Sequence, residues 1–133
     1  MRLNLKEAAV RQDGGLAEFL ADGLPMWVGL TAELIEARIR SLVEHQQFFE
    51  THWLAQEGLV DLELFSAMFG VFGMPECVAE LLAHDGIHGV RYVHDSVAND
   101  AAHRIVERVA GLAPARLLPY CAGGPRHATL PSP

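Results

Sequence analysis

One repeating pattern of side chains constrains the fold of this chain more than any other feature. From residue 35 to residue 53, large side chains recur at alternating steps of four and three, with one polar exception: Ile35, Ile39, Leu42, Gln46, Phe49 and Trp53. This spacing places them on one side of an α-helix. Thr31 is a suitable N-cap, and Gly58 suits the position after the last turn. The sequence therefore predicts a long amphipathic helix from about Thr31 to Gln56.

Several shorter segments also have the composition of helices: residues 5–10, 16–20, 62–72, 75–85 and 96–110. The segment 62–72 is apolar nearly all the way round, which is typical of a central helix. A turn is predicted at residues 22–25, because Pro25 disfavours helical backbone at the residue before it. The predicted fold class is all-α: a single-domain helical bundle of about five helices around the long central helix, with at most a short strand near residues 90–93.

The length of the chain, 133 residues and 14.6 kDa, corresponds to one domain. Residues 1–113 form the predicted helical domain. Residues 114–133 contain five of the seven prolines together with Gly123 and Gly124, so they predict an extended C-terminal tail. The N-terminus lacks the continuous apolar stretch of a signal peptide, and no apolar segment is long enough to cross a bilayer. A cytoplasmic location without membrane contact is expected.

Acidic charge is concentrated in the first half of the chain. The formal net charge is −7, of which residues 1–66 contribute −6 and residues 67–133 contribute −1. An acidic surface repels phosphate groups, so nucleic acid is not an expected partner. A basic protein would be attracted to this surface, although solubility alone is the simpler explanation of the charge. The predicted partner-binding residues lie on the long helix: Glu33, Glu36, Glu44, Gln46 and Glu50.

The polar residue Gln46 interrupts the apolar side of the long helix. Polar residues at such positions fix the pairing between helices at some cost in stability. The sequence therefore suggests a specific helical partner for this side. An intramolecular partner is favoured over a second copy in a homodimer, because a chain of this length must first build its own core.

Histidines are the candidates for metal binding. Four of the seven lie within residues 84–103, and the strongest combination is His84, Asp85, His88 and His94. Transition metals accept mixed nitrogen and oxygen ligands, but this spacing matches no established site, and Gly86 is expected to end the helix between the first two histidines. The simpler interpretation is that these residues lie in a loop or at a helix end. No cofactor is the first prediction, with a transition metal or haem as the alternative.

Two further features have alternative interpretations. The run Phe48, Phe49, His52 and Trp53 could hold a flat cofactor such as haem, but aromatic residues on an amphipathic helix more often belong to the core. Cys77 falls near the start of the helix that Pro75 begins, where free backbone amides lower the pKa of a thiol, yet it could equally be a buried, inert residue.

No residue pattern specific to a reaction is present: the chain contains no phosphate-binding loop, no dinucleotide fingerprint and no nucleophile elbow. Enzymatic activity is therefore uncertain and less expected than its absence. The leading functional hypothesis is a small acidic protein-binding module, such as an adaptor, inhibitor or immunity-type protein, that docks a basic partner. The alternative is a small histidine-dependent metal- or haem-binding protein.

Overall fold

In the computed structural model a short strand lies near the N-terminus, and residues 16–45 are helical without a gap. Residues 1–112 and 118–121 are described. In chain order the elements are β1 (Arg2–Asn4), α1 (Leu5–Val10), α2 (Leu16–Glu18), a π turn (Phe19–Gly23), α3 (Leu24–Arg40), a second π turn (Ser41–His45), α4 (Phe48–Thr51), α5 (Trp53–Gln56), a 3₁₀ turn (Leu62–Leu64), β2 (Gly70–Phe72), α6 (Met74–His84) and α7 (Ser96–Leu112).

Helix α3, which contains the start of the predicted long helix, begins earlier than the sequence pattern predicts. α3 starts at Leu24 and places Pro25 in its first turn, directly after the π turn. Proline lacks the N–H that an α-helix needs, and a π turn is one way for the backbone to continue past such a position. The predicted turn at residues 22–25 is therefore wrong. Thr31 is not an N-cap but an interior residue, whose hydroxyl donates to the Trp27 carbonyl oxygen at 2.8 Å.

The same helix ends earlier than predicted. Helical backbone stops after His45, and Gln47 adopts a left-handed conformation with φ of 48°. α4 and α5 follow as separate short helices, divided by extended backbone at His52. The predicted continuous helix from Thr31 to Gln56 is thus broken in its second half, and the side chains that it should align are divided between core and surface: Ile35 and Ile39 are buried, whereas Trp53 is exposed.

The apolar segment 62–72 is not a central helix. Only Leu62–Leu64 is helical, as a 3₁₀ turn, and β2 at its end pairs in parallel with β1. The register joins Arg2 to Gly70, Leu3 to Val71 and Asn4 to Phe72. Glycine weakens helices, and β-branched and aromatic residues suit strands, so the backbone pairs with the N-terminus instead. The fold is mostly helical, in agreement with the predicted class, and it includes a short two-stranded parallel sheet that the sequence pattern does not predict.

The helices α6 and α7 confirm the sequence prediction closely. Their apolar sides pack against each other and against α1 and α3 to form the core. The left-handed residue Gly73, with φ of 78°, begins α6 beside the junction of β1 and α1, where Asn4 and Lys6 leave little room for a side chain. No strand forms at residues 90–93, where the chain turns and Val93 has a φ of 75°.

Part of the predicted C-terminal tail packs on the helical core. Leu118 and Cys121 are buried there, with a turn between them. The rest of the predicted tail, residues 114–117 and 122–133, lies outside the described residues. Across the described part of the chain, none of the helices has the length and apolar character needed to traverse a bilayer.

Candidate functional site

A hydrogen-bonded group of charged residues lies on the exposed end of α3. Arg40 donates from Nε and Nη2 to Glu36 Oε1, both at 3.2 Å, and from Nη1 to Glu44 Oε1 at 3.1 Å. Tyr120, which is far away in sequence, donates its hydroxyl to the same Glu44 oxygen at 2.8 Å. Two of the residues predicted to bind a partner are therefore already paired within the chain.

These contacts shift the pKa values of the three groups around Glu44. The hydrogen bond from Tyr120, followed by those from Arg40, holds the pKa of the Glu44 carboxyl below its ordinary value. The same bond raises the pKa of the Tyr120 hydroxyl. Hydrogen bonds to Glu36 and Glu44 raise the pKa of Arg40. The hydrogen bond from Tyr120 to Glu44 connects residues 118–121 to the second π turn at the protein surface.

The other predicted partner-binding residues lie on both sides of the helix break that follows His45. Glu33 is exposed on α3, Gln46 lies at the break with its amide 3.5 Å from the Ser41 hydroxyl, and Glu50 lies on α4. Because the helix breaks after His45, the five residues no longer share one helix face. Their assignment to partner binding stays a prediction.

The candidate metal ligands are dispersed. His84 is at the end of α6, with Nε2 3.9 Å from Glu80 Oε1, while His88 and His94 are exposed in the loop before α7. Asp85 accepts a hydrogen bond from the backbone N–H of Leu16 at 3.1 Å. No group of three or more histidine, cysteine or acidic side chains positioned to hold a metal ion occurs within residues 1–112 and 118–121. Asp85 thus has a structural role that its sequence context did not suggest.

An aromatic cluster spans the break that follows α3. The rings of Phe48 and His52 are stacked with centroids 4.4 Å apart, and Phe49 meets Phe65 edge-on at 5.6 Å. His52 Nδ1 accepts from the Leu54 N–H at 3.2 Å, so in the neutral ring the proton lies on Nε2. The rings contact one another outside the buried core, because α4 and α5 contain no buried residue and Trp53 is exposed. The prediction of no cofactor, with metal or haem as the alternative, stays a prediction.

The described structure also contains a half-open cleft of about 240 Å³ that the sequence did not indicate. Its walls come from the residue before β1, from α3, from the second π turn and from the segment before β2: Met1, Ile35, Arg38, Ile39, Leu42, Phe65, Ser66, Ala67 and Met68. Most of the lining is apolar, and Arg38 is the lining residue with a full side-chain charge. The position of residues 65–68 depends on the pairing of β2 with β1, which no local pattern predicts.

Comparison with known proteins decides the family. The model of the family described as "Glycyl radical enzyme YjjI-like" matches residues 1–132. The chain belongs to the YjjI-like glycyl radical enzyme family. A curated relative, the Escherichia coli (strain K12) protein called "Uncharacterized protein YjjI", is 36% identical over 110 residues. That alignment covers 83% of this chain and 21% of the relative, so the chain spans about a fifth of the relative's length. No solved structure matches.

Membership of the YjjI-like glycyl radical enzyme family overturns the leading functional hypothesis. A small adaptor, inhibitor or immunity-type module is wrong, and so is the emphasis on inhibition and protein-protein interaction that followed from it. The absence of a reaction motif from this chain is compatible with membership of an enzyme family. A region of a larger enzyme contains such a motif only if the reacting residues fall within that region.

The thiols of this YjjI-like chain differ from the reactive cysteine that the sequence allowed. Cys77 is fully buried near the start of α6, and burial raises the pKa of its thiol to about 12. Cys121 is also buried, and desolvation raises its pKa, although a backbone hydrogen bond from Ala67 opposes the shift. The loss of hydration therefore outweighs the free amides at the helix start. Both thiols are protonated and uncharged at neutral pH.

Proposed function

We propose that this chain acts as a helical region of a glycyl radical enzyme, in which it packs against the larger part of the enzyme and contributes to its folded architecture. The observation that carries this proposal is the match of the family to residues 1–132, together with an alignment that covers a fifth of the Escherichia coli relative.

The chemistry implied by the family name explains why a region with a closely packed apolar core is suited to this role. A glycyl radical has an unpaired electron on a glycine Cα, and such a carbon radical reacts with dioxygen and abstracts hydrogen atoms from nearby groups. An enzyme must therefore surround the radical with closely packed protein that excludes solvent and dioxygen. The core of this chain is apolar and forms one cluster, and both of its thiols lie within that cluster. These features support a role in architecture.

Electron paramagnetic resonance of protein purified without oxygen tests the proposal. The chain would be tagged, expressed in its native host and isolated anaerobically, because air destroys a carbon radical. We expect the preparation to contain a YjjI-like enzyme and to give the doublet of a glycyl radical. Growth on glycine deuterated at Cα should collapse the doublet, which assigns the radical to glycine.

A matched preparation from air-exposed cells provides the control and should lack the signal. The proposal is wrong if the anaerobic preparation contains the folded chain but gives no glycyl radical signal, while fractions without this chain contain a YjjI-like protein that gives the doublet. The tag belongs at the C-terminal end, because the N-terminal residues Arg2–Asn4 form β1.

A further inference from the structure

The solvent side of α3 is unusually apolar for an exposed helix. Met26, Leu30 and Leu34 are 58%, 45% and 51% exposed. They are spaced four residues apart and therefore lie along one side of the helix, over about 12 Å of its axis. The opposite side of the helix, with Val28 and Ile35, faces the core. α3 thus has two apolar sides, and only one is covered within the described structure.

This exposed side leads to the cleft described above. Arg38 follows Leu34 by four residues and lines the cleft, and within the described part of the chain its guanidinium has no ion pair or side-chain hydrogen bond. By contrast Arg40, two residues further on, is fully paired with Glu36 and Glu44. The apolar side therefore ends at Arg38, a cation with no charged partner among the described residues, in the half of the chain that has most of the net negative charge.

The size of the cleft favours a side chain over a free ligand. Its volume of about 240 Å³ lies below the range of roughly 300–1,000 Å³ that is usual for small-molecule sites. It is also open on one side, and Arg38 in its lining lies one turn beyond Leu34 on α3. An apolar side chain of a protein partner fits such a cleft, in the way that an anchor residue fills a pocket at the centre of an interface.

We propose that Met26, Leu30, Leu34 and the cleft beside Arg38 form the surface on which the remaining part of a YjjI-like glycyl radical enzyme docks. The docking element is a helix with apolar residues spaced four apart and with a carboxylate that pairs with Arg38. This inference rests on the proposed function. It is supported by the length of the Escherichia coli relative, about four-fifths of which lies outside its alignment with this chain.

Site-specific photo-cross-linking identifies the occupant directly. Leu30 would be replaced by the photoreactive residue p-benzoylphenylalanine in the full chain, expressed anaerobically in the native host, and the cross-linked peptides would be sequenced by mass spectrometry. We expect cross-links to the part of a YjjI-like enzyme that lies outside the region matching this chain. Val106 on α7 is 47% exposed, nearly as much as Leu30, and the same replacement there provides the matched control.

Three results would overturn the inference: cross-links from position 30 to a second copy of this chain, cross-links to residues 122–133 of the same chain, or equal yields of enzyme cross-links from positions 30 and 106. A position-30 variant that yields no cross-link while the enzyme still accompanies the chain would also overturn it. If the unsubstituted chain is never recovered with a radical-bearing enzyme, the proposed function is wrong. If it is recovered with the enzyme but gives one of the results above, only the docking surface is wrong.

Charge substitutions give an independent measurement. Leu30→Glu combined with Leu34→Glu should lower the amount of YjjI-like enzyme recovered with the chain by about tenfold or more, since a carboxylate cannot be buried unpaired in an apolar interface. Arg38→Glu should have a smaller effect in the same direction. Val106→Glu and Arg104→Glu, on the exposed side of α7, should leave recovery unchanged. All of these residues are exposed in the chain, so circular dichroism melting should confirm that each variant folds.

Discussion

Asp85 and Leu16 are joined by a hydrogen bond that connects the end of one helix to the beginning of another. The Asp85 carboxylate, directly after α6, accepts from the backbone N–H of Leu16 at 3.1 Å, and Leu16 is the first residue of α2. A side chain on Gly15 would overlap this carboxylate. An acidic group at this position satisfies a free amide and opposes the positive end of the helix dipole.

Substitution of Asp85 should therefore affect stability. Asp85→Ala is expected to lower the free energy of unfolding by about 1 kcal/mol, as the loss of a helix cap usually does. Gly15→Ala should lower it as well, because the new methyl group displaces the carboxylate. Urea denaturation of the two single variants and the double variant measures their coupling. Strictly additive losses would show that the two positions act separately, and Asp85→Asn, which retains an oxygen acceptor, should recover part of the stability.

Two glycines should respond to alanine in opposite directions. Gly29 is interior to α3 and has no neighbouring atom within 4 Å of the position that a Cβ would occupy. Gly29→Ala should raise the free energy of unfolding by up to about 1 kcal/mol, because alanine favours helix. Gly73→Ala should lower it by about 1–2 kcal/mol, because φ is 78° there. Denaturation curves of both variants measure the two changes in the free energy of unfolding. Changes of the same sign would contradict the prediction.

The pair of Tyr120 and Glu44 predicts a specific pH dependence. Because the pKa of Glu44 is lowered in the folded state, its ionised carboxylate stabilises the fold. This stabilisation is fully present above the ordinary carboxyl pKa of about 4.3, and it is lost as the pH falls through the lowered pKa of the folded state. Tyr120→Phe removes the largest cause of the shift, so the Glu44 pKa should rise toward the ordinary value. Carbon-13 NMR titration of the glutamate side chains measures this directly.

Tyr92 provides the control for that titration. It is 37% exposed and Tyr120 is 39% exposed, but Tyr92 lies in the loop before α7. Tyr92→Phe should leave the Glu44 titration unchanged. An unchanged Glu44 pKa in Tyr120→Phe would mean that the hydrogen bond is not formed in solution.

The buried thiols predict low chemical reactivity. With the pKa of Cys77 at about 12 and that of Cys121 also raised, neither residue should be alkylated by iodoacetamide in the folded chain at pH 8. Both should react fully in denaturant. A Val106→Cys variant adds an exposed thiol as an internal standard, and mass spectrometry counts the modified positions. Rapid labelling of Cys77 in the folded chain would contradict the burial.

The helices with local signals were predictable from the sequence, whereas features that depend on distant residues were not. Pro75 and Gly86 mark the ends of α6, and the apolar side of α7 follows helical spacing without interruption. β2 has only three residues and exists because the chain's own N-terminus pairs with it. The left-handed conformation of Gln47, which breaks the predicted long helix, has no sequence signal, because it is not a glycine.

The candidate sites follow the same rule. The pairing of Glu36 with Arg40 and of Arg40 with Glu44 is predictable from the sequence, because residues four apart are neighbours on a helix. The contact of Tyr120 with Glu44 joins residues 76 positions apart, and the wall of the cleft opposite Arg38 comes from residues 65–68. Long-range placement of this kind is set by the packing of the whole chain.

The parallel pairing of β1 and β2 also has a consequence for biosynthesis. Residues 2–4 cannot complete their backbone hydrogen bonds until residues 70–72 have left the ribosome, although β1 leads directly into α1 and the core. A contact of such high sequence separation forms late and slowly compared with local helices. Until residues 70–72 have emerged, β1 presents an unpaired strand edge, so the nascent chain needs protection from aggregation during that interval.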